Sequence, residues 1–185
     1  MTEEPKTKNQ KLKTASGFTL IEMLIYVALV ATIISAVTLF GVWAMQVGAK
    51  AKANQEVLDN ARRALEIMAY EIKKATGLYA PTSVFEASPG QLSLETASPT
   101  GLGESSSYAD FFVCGQALCL KREKTNALAL TSDSVRVTKL LFEQRLNDQV
   151  APSIKITLGL ATATSTRPEK TASLELNTTA NLRSY

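Results

Sequence analysis

The hydrophobic and polar positions divide the chain into three stretches with different periods. From Met23 to Ala49, 27 residues carry no formal charge, and apolar side chains fall on every side of a helix drawn through them. That exceeds the roughly 20 residues an α-helix needs to cross a bilayer core. Its polar residues are few: Thr32, Ser35, Thr38 and Gln46. Thr and Ser hydroxyls can bond back to the helix's own carbonyls and are tolerated there. Beyond Ala49 the apolar positions thin to Leu58, Ala61, Leu65, Met68 and Ile72, spaced three and four apart. Glu56, Asp59, Arg62, Arg63, Glu66, Glu71, Lys73 and Lys74 lie between them, as on an amphipathic helix with one buried stripe. No Pro occurs between Phe18 and Ala80, so the two stretches read as one helix over 18–76. Gly77 is its expected stop, and Lys73 and Lys74 suit the negative end of the helix dipole.

The third stretch, from about Leu78, is rich in Ser, Thr, Pro and Gly, and its apolar residues alternate with period two. Leu92 and Leu94 mark one strand over 91–96. Runs 108–114 and 117–123 flank Gly115-Gln116 as in a hairpin. Val135 and Val137 alternate until the period slips at Leu140-Leu141-Phe142, which predicts a β-bulge. Ile154, Ile156, Leu158 and Leu160 form another strand, with Lys155, Thr157 and Gly159 on its other face. Leu174 and Leu176 form a last short strand, and 99–107 reads as a loop. The predicted fold is α+β: a long N-terminal helix, half membrane-spanning and half amphipathic, packed on a small antiparallel β-sheet with one wet face. The residues after Thr76 suffice for one small core.

Charge sharpens the picture at the N-terminus. Met1 to Gly17 carry Lys6, Lys8, Lys11 and Lys13 against Glu3 and Glu4. This is no ordinary secretory signal, because the apolar run has no small-residue cleavage site after it. Charge asymmetry does not orient the span: four Lys precede it, and Lys50, Lys52, Arg62 and Arg63 follow it closely. Removing the leader's four Lys and two Glu takes the formal charge from +3 to +1, so nucleic acid is not indicated as a partner. The chain has no His, the commonest general base and metal ligand. No nucleophile–base spacing, phosphate loop or metal cluster is present. Ser105, Ser106 and Ser107 read as a solvated run, and we expect no enzyme, cofactor or metal.

One carboxylate, Glu22, heads the apolar run. A charge at a helix centre costs roughly 2.5–3.5 kcal/mol on insertion scales, and such residues usually have a partner and a role. The plain alternative is that Glu22 lies in interfacial water and marks the end of the span.

The string Gly17-Phe18-Thr19-Leu20-Ile21-Glu22, heading a membrane-length uncharged run, resembles the type IV prepilin signal, most tightly over 16–30. The resemblance implies that a membrane aspartic peptidase cuts after Gly17 and that the same enzyme N-methylates Phe18. The fragment 1–17 is then a cleaved cytoplasmic leader, 18–49 the transmembrane and filament-core half-helix, 50–76 its amphipathic continuation, and 77–185 an exported β-rich domain. Cleavage leaves an α-amino group on Phe18, with an ordinary pKa of roughly 7.7–8.0. Glu22, four residues on, can face that ammonium on its own helix or meet a neighbouring subunit's. In low dielectric an unpaired charge is costly, so a packed filament core favours such an assembly salt bridge.

The strand order, and 130–135 leading to Leu141-Phe142, also look like the minor pilins of the W type and the J-type pseudopilins of type II secretion. Many major pilins carry a Pro where this chain has Leu39. The implied function is a minor pilin or pseudopilin of a type IV pilus or type II secretion pseudopilus, with filament initiation or capping among its roles. The implied partners are other pilins, prepilin peptidase/N-methyltransferase, an inner-membrane assembly platform, and membrane lipid before assembly. The implied location is the bacterial inner membrane, single-pass with a cytoplasmic N-terminus, then a periplasmic or surface filament. In an exported domain Cys114 and Cys119 can close a disulfide across the hairpin, with free thiols the alternative. The competing function is a membrane-anchored binding module for DNA uptake, adhesion or secreted-substrate recognition, using loops 98–107 and 161–170.

Overall fold

The computed structural model describes residues 17–97, 106–147, 150–163 and 168–182. Helix α1 runs Leu20–Lys74, and the chain divides into two compact units at Ala44/Met45. In the first unit Thr32 Oγ1 donates to Leu29 O at 2.7 Å, Ser35 Oγ to Ala31 O at 2.8 Å and Thr38 Oγ1 to Ile34 O at 2.8 Å. These are the back-bonds expected of hydroxyls in an apolar helix. Before Val57 no described residue is buried. Leu24, Val27, Ile34 and Trp43 are all more than half exposed.

The second unit packs the rest of α1 on two antiparallel sheets. Its buried stripe is Val57, Ala61, Ala64, Leu65, Met68 and Ile72. Leu58, expected on the stripe, is only half-buried, because Val57 and Ala64 take the central rows. α1 begins two residues later than predicted and ends at Lys74. Gly77 is not a helix cap: Thr76 N donates to Glu95 O at 2.8 Å, and Gly77 enters a strand opposite Glu95.

The first sheet is β1 (Gly77–Leu78), β2 (Leu92–Ala97), β3 (Ser106–Cys114), β4 (Ala117–Arg122) and β5 (Leu128–Ala129), in that order. The β3–β4 turn needs Gly at its first position, since Gly115 has φ 65°. Ser106 and Ser107, expected in a loop, open β3; Ser106 Oγ bonds Glu95 Oε1, and the rest of that expected loop lies outside the described residues. The second sheet is β6 (Val135–Asn147), β7 (Val150–Thr162) and β8 (Ser173–Asn181). The predicted bulge falls between Val137 and Lys139, opposite Leu160 and Gly159. Thr157, expected on a polar face, is buried on β7, the middle strand. The core joins the helix stripe to Leu92, Leu94, Phe111 and Leu118 of one sheet and Leu140, Phe142, Ile156 and Leu158 of the other.

One sheet was expected and two are found, and polar side chains explain where the break falls. Between β5 and β6, Arg63 Nη2 donates to Leu130 O at 2.9 Å and Asn60 Oδ1 accepts from Ser132 N at 3.0 Å. Leu118 N donates to Thr131 Oγ1 at 3.1 Å. These contacts satisfy backbone groups that a continuous ladder would have paired. The segment between β1 and β2 then flanks β6: Glu86 N reaches Phe142 O at 2.9 Å and Gly90 N reaches Leu140 O at 2.8 Å.

Candidate functional site

The chemistry singled out by the sequence sits at the start of α1. Gly17 and Phe18 precede the helix in non-helical backbone, and Phe18 is 72% exposed. A Cβ on Gly17 would meet no described atom within 4 Å, so packing does not demand Gly there. Thr19 caps the helix: its Oγ1 accepts from Glu22 N at 3.3 Å, and its carbonyl accepts from Met23 N at 3.2 Å. The Thr-x-x-Glu spacing over 19–22 is a capping-box signature that the sequence reading passed over.

Glu22 lies in the first turn, where exposed backbone N–H groups favour an acid by about 0.3–1 kcal/mol. It is half-buried, and among the described residues no cation pairs with it. Its neighbour is Tyr26, one turn on, whose phenol oxygen stands 3.5 Å from Glu22 Oε1. The Tyr26 ring meets Phe18 edge to face, with centroids 6.5 Å apart. Phe18, Glu22 and Tyr26 therefore group on one side of the helix start. Tyr26 was legible only as an apolar-run residue four positions after Glu22. Its hydroxyl supplies a polar neighbour to a carboxylate that otherwise heads a wholly apolar surface.

Cys114 and Cys119 belong to the second unit. They form a disulfide with Cα atoms 5.9 Å apart, diagonal across the β3–β4 hairpin, where Cys114 pairs Ala117 and Phe112 pairs Cys119. Residues 1–16, the expected leader, lie outside the described residues, as do 98–105 and 164–167 of the two candidate binding loops.

Residues 12–38 match a family model described as the prokaryotic N-terminal methylation motif. No curated protein and no solved structure matches the chain. The matched segment spans Gly17, Phe18, Glu22 and Tyr26 and reaches well into the uncharged run. The motif implies processing by prepilin peptidase and assembly with other pilins, and the long apolar helix fits anchoring in a membrane beforehand. The chain thus carries the type IV pilin signal, the mark of a pilin-like precursor processed by prepilin peptidase.

Proposed function

We propose that this chain is a minor pilin or pseudopilin, cut between Gly17 and Phe18, methylated on Phe18, and built into a filament through the apolar half of α1. The observation that carries this is the Glu22 carboxylate at the head of an exposed apolar surface, with no cation beside it among the described residues. The uncut chain has no amine at Phe18. Cleavage creates one, and the partner Glu22 lacks then becomes available from a neighbouring subunit. The rest of the exposed run, including Leu24, Ile34 and Phe40, buries against other helices in the same step. The reading places the N-terminus in the cytoplasm and 77–185 outside it, with an initiating or capping role.

Two substitutions test it. Gly17→Ala should abolish the shift to mature size on a gel and leave Phe18 internal by mass spectrometry. Glu22→Ala should still insert in the membrane and still be cut, yet drop out of sheared filaments. A native N-terminus other than methylated Phe18, or normal incorporation of the Glu22 variant, would refute the assignment.

A further inference from the structure

The second unit has a cleft of about 650 Å³ that the filament reading does not use. It lies where α1 passes the far ends of β6, β7 and β8, and its polar lining includes Lys50, Asn54, Gln116, Arg136, Thr162 and Ser173. Among the described residues no carboxylate lines it. Lys50 Nζ is held over the rim by the Thr171 carbonyl. Thr162 Oγ1 accepts from Ala172 N at 2.9 Å, which fixes the floor. The side chains of Asn54, Gln116, Arg136 and Ser173 have no hydrogen-bond or ionic partner among the described residues.

A second cleft of about 330 Å³ shares Thr162 and adds Lys52 and Lys170 against one acid, Glu56. Among the described residues, the two clefts that share Thr162 are lined by four cations and one carboxylate. A guanidinium offers a fork of donors matched to phosphate oxygens, and amides and a hydroxyl beside it complete such a cradle. Lys50 is also the first charged residue after the 27-residue uncharged run. If that run crosses a bilayer, Lys50 emerges at headgroup level, where each cation near an anionic surface strengthens attraction.

We propose that Arg136 and Lys50, with Asn54 and Gln116, form a binding site for a phosphoryl anion, and that its source is the headgroup of an anionic phospholipid. The site itself stands on the cleft; only the lipid source rests on the membrane reading. The test uses the full, uncut chain in nonionic detergent and needs no filament, so failure of the pilin assignment would leave it intact. Native mass spectrometry would follow titration with phosphatidylglycerol, phosphatidylcholine or inorganic phosphate.

The expected result is saturable binding of phosphatidylglycerol in preference to phosphatidylcholine. Arg136→Gln should weaken it about five-fold, and Arg136→Gln with Lys50→Gln roughly twenty-five-fold. Lys121→Gln, an equal charge loss outside the cleft, should leave it unchanged. Inorganic phosphate binding that depends on Arg136, with no preference between the lipids, would support the anion site and overturn the lipid source. No Arg136-dependent binding of either probe, or an equal loss in the Lys121 variant, would overturn the site.

Discussion

Gly159→Ala probes the bulge in the long β6–β7 ladder. A Cβ at Gly159 would stand 2.8 Å from Thr138 Oγ1, 3.0 Å from Lys139 Cβ and 3.3 Å from Lys139 N. Thr138 is β-branched and stiff at χ1, so moving its hydroxyl aside costs a rotamer change. The Lys139 atoms belong to or adjoin backbone held in register with β7, so they cannot yield without moving the ladder. Overpacking of this kind costs about 1–3 kcal/mol. The lost unfolded-state freedom of Gly returns about 0.4–1 kcal/mol. The net expectation is destabilisation by about 1–2 kcal/mol, or a fall in Tm of roughly 3–8 °C for a unit of this size. Thermal unfolding of the detergent-solubilised chain, followed by near-ultraviolet circular dichroism of its tyrosines, would read it. Thr138→Ala in the Gly159→Ala background removes the 2.8 Å contact and leaves those to Lys139, so about half the loss should return, a coupling a double-mutant cycle isolates. A Gly159→Ala chain as stable as the parent would refute the close approach, and no recovery on removing Thr138 Oγ1 would refute its share.

Two further outcomes follow from ion pairs in the second unit. Glu71 is 6% exposed and takes Arg122 Nη2 on its Oε1 at 2.6 Å, in a cleft lined by Leu120, Leu128 and Leu130. Arg122→Ala, which strands that carboxylate, should cost about 1–2 kcal/mol in a denaturant melt, at the low end because the guanidinium is 53% exposed. Glu71→Met should cost less, and the reverse order would refute the argument. Glu143 is held below its ordinary carboxylate pKa of 4.5, first by the hydrogen bond from Lys155 and then by the charges of Lys155, Arg145 and Lys139, against burial. Its depressed pKa contributes stability above pH 4.5 that is lost as pH falls through the folded-state value, so Lys155→Met should flatten the acid limb of a stability–pH curve. An unchanged acid limb would sink that account.

The helix was legible because its two periods are strong and continuous: an uncharged run, then apolar residues three and four apart. The bulge was legible too, since a slip at Leu140-Leu141-Phe142 breaks a period of two. What escaped were positions where a polar side chain faces inward. Glu71 and Asn60 look like solvent-side helix residues until Arg122 and Ser132 N, far along the chain, arrive to meet them. No local pattern encodes such partners, and the division into two sheets depends on them. β8 extends well past Leu174 and Leu176 to Asn181 because β7 offers a full row of backbone partners, which hydropathy does not register. At the helix start, Gly17, Phe18 and Glu22 stood out by residue type and order. The Thr19 cap was equally readable from its spacing, while the approach of Tyr26 to Glu22 depends on side-chain rotamers that no spacing encodes.

The bonds from Asn60 and Arg63 to the crossing at 130–132 carry a mechanical corollary. In the filament proposed above, tension would reach each subunit through its helix. Here the helix grips the short link between β5 and β6, the edge strands at which the two sheets part. A pull on the helix would then reach one edge strand of each sheet through the same link, so the two sheets would feel it together.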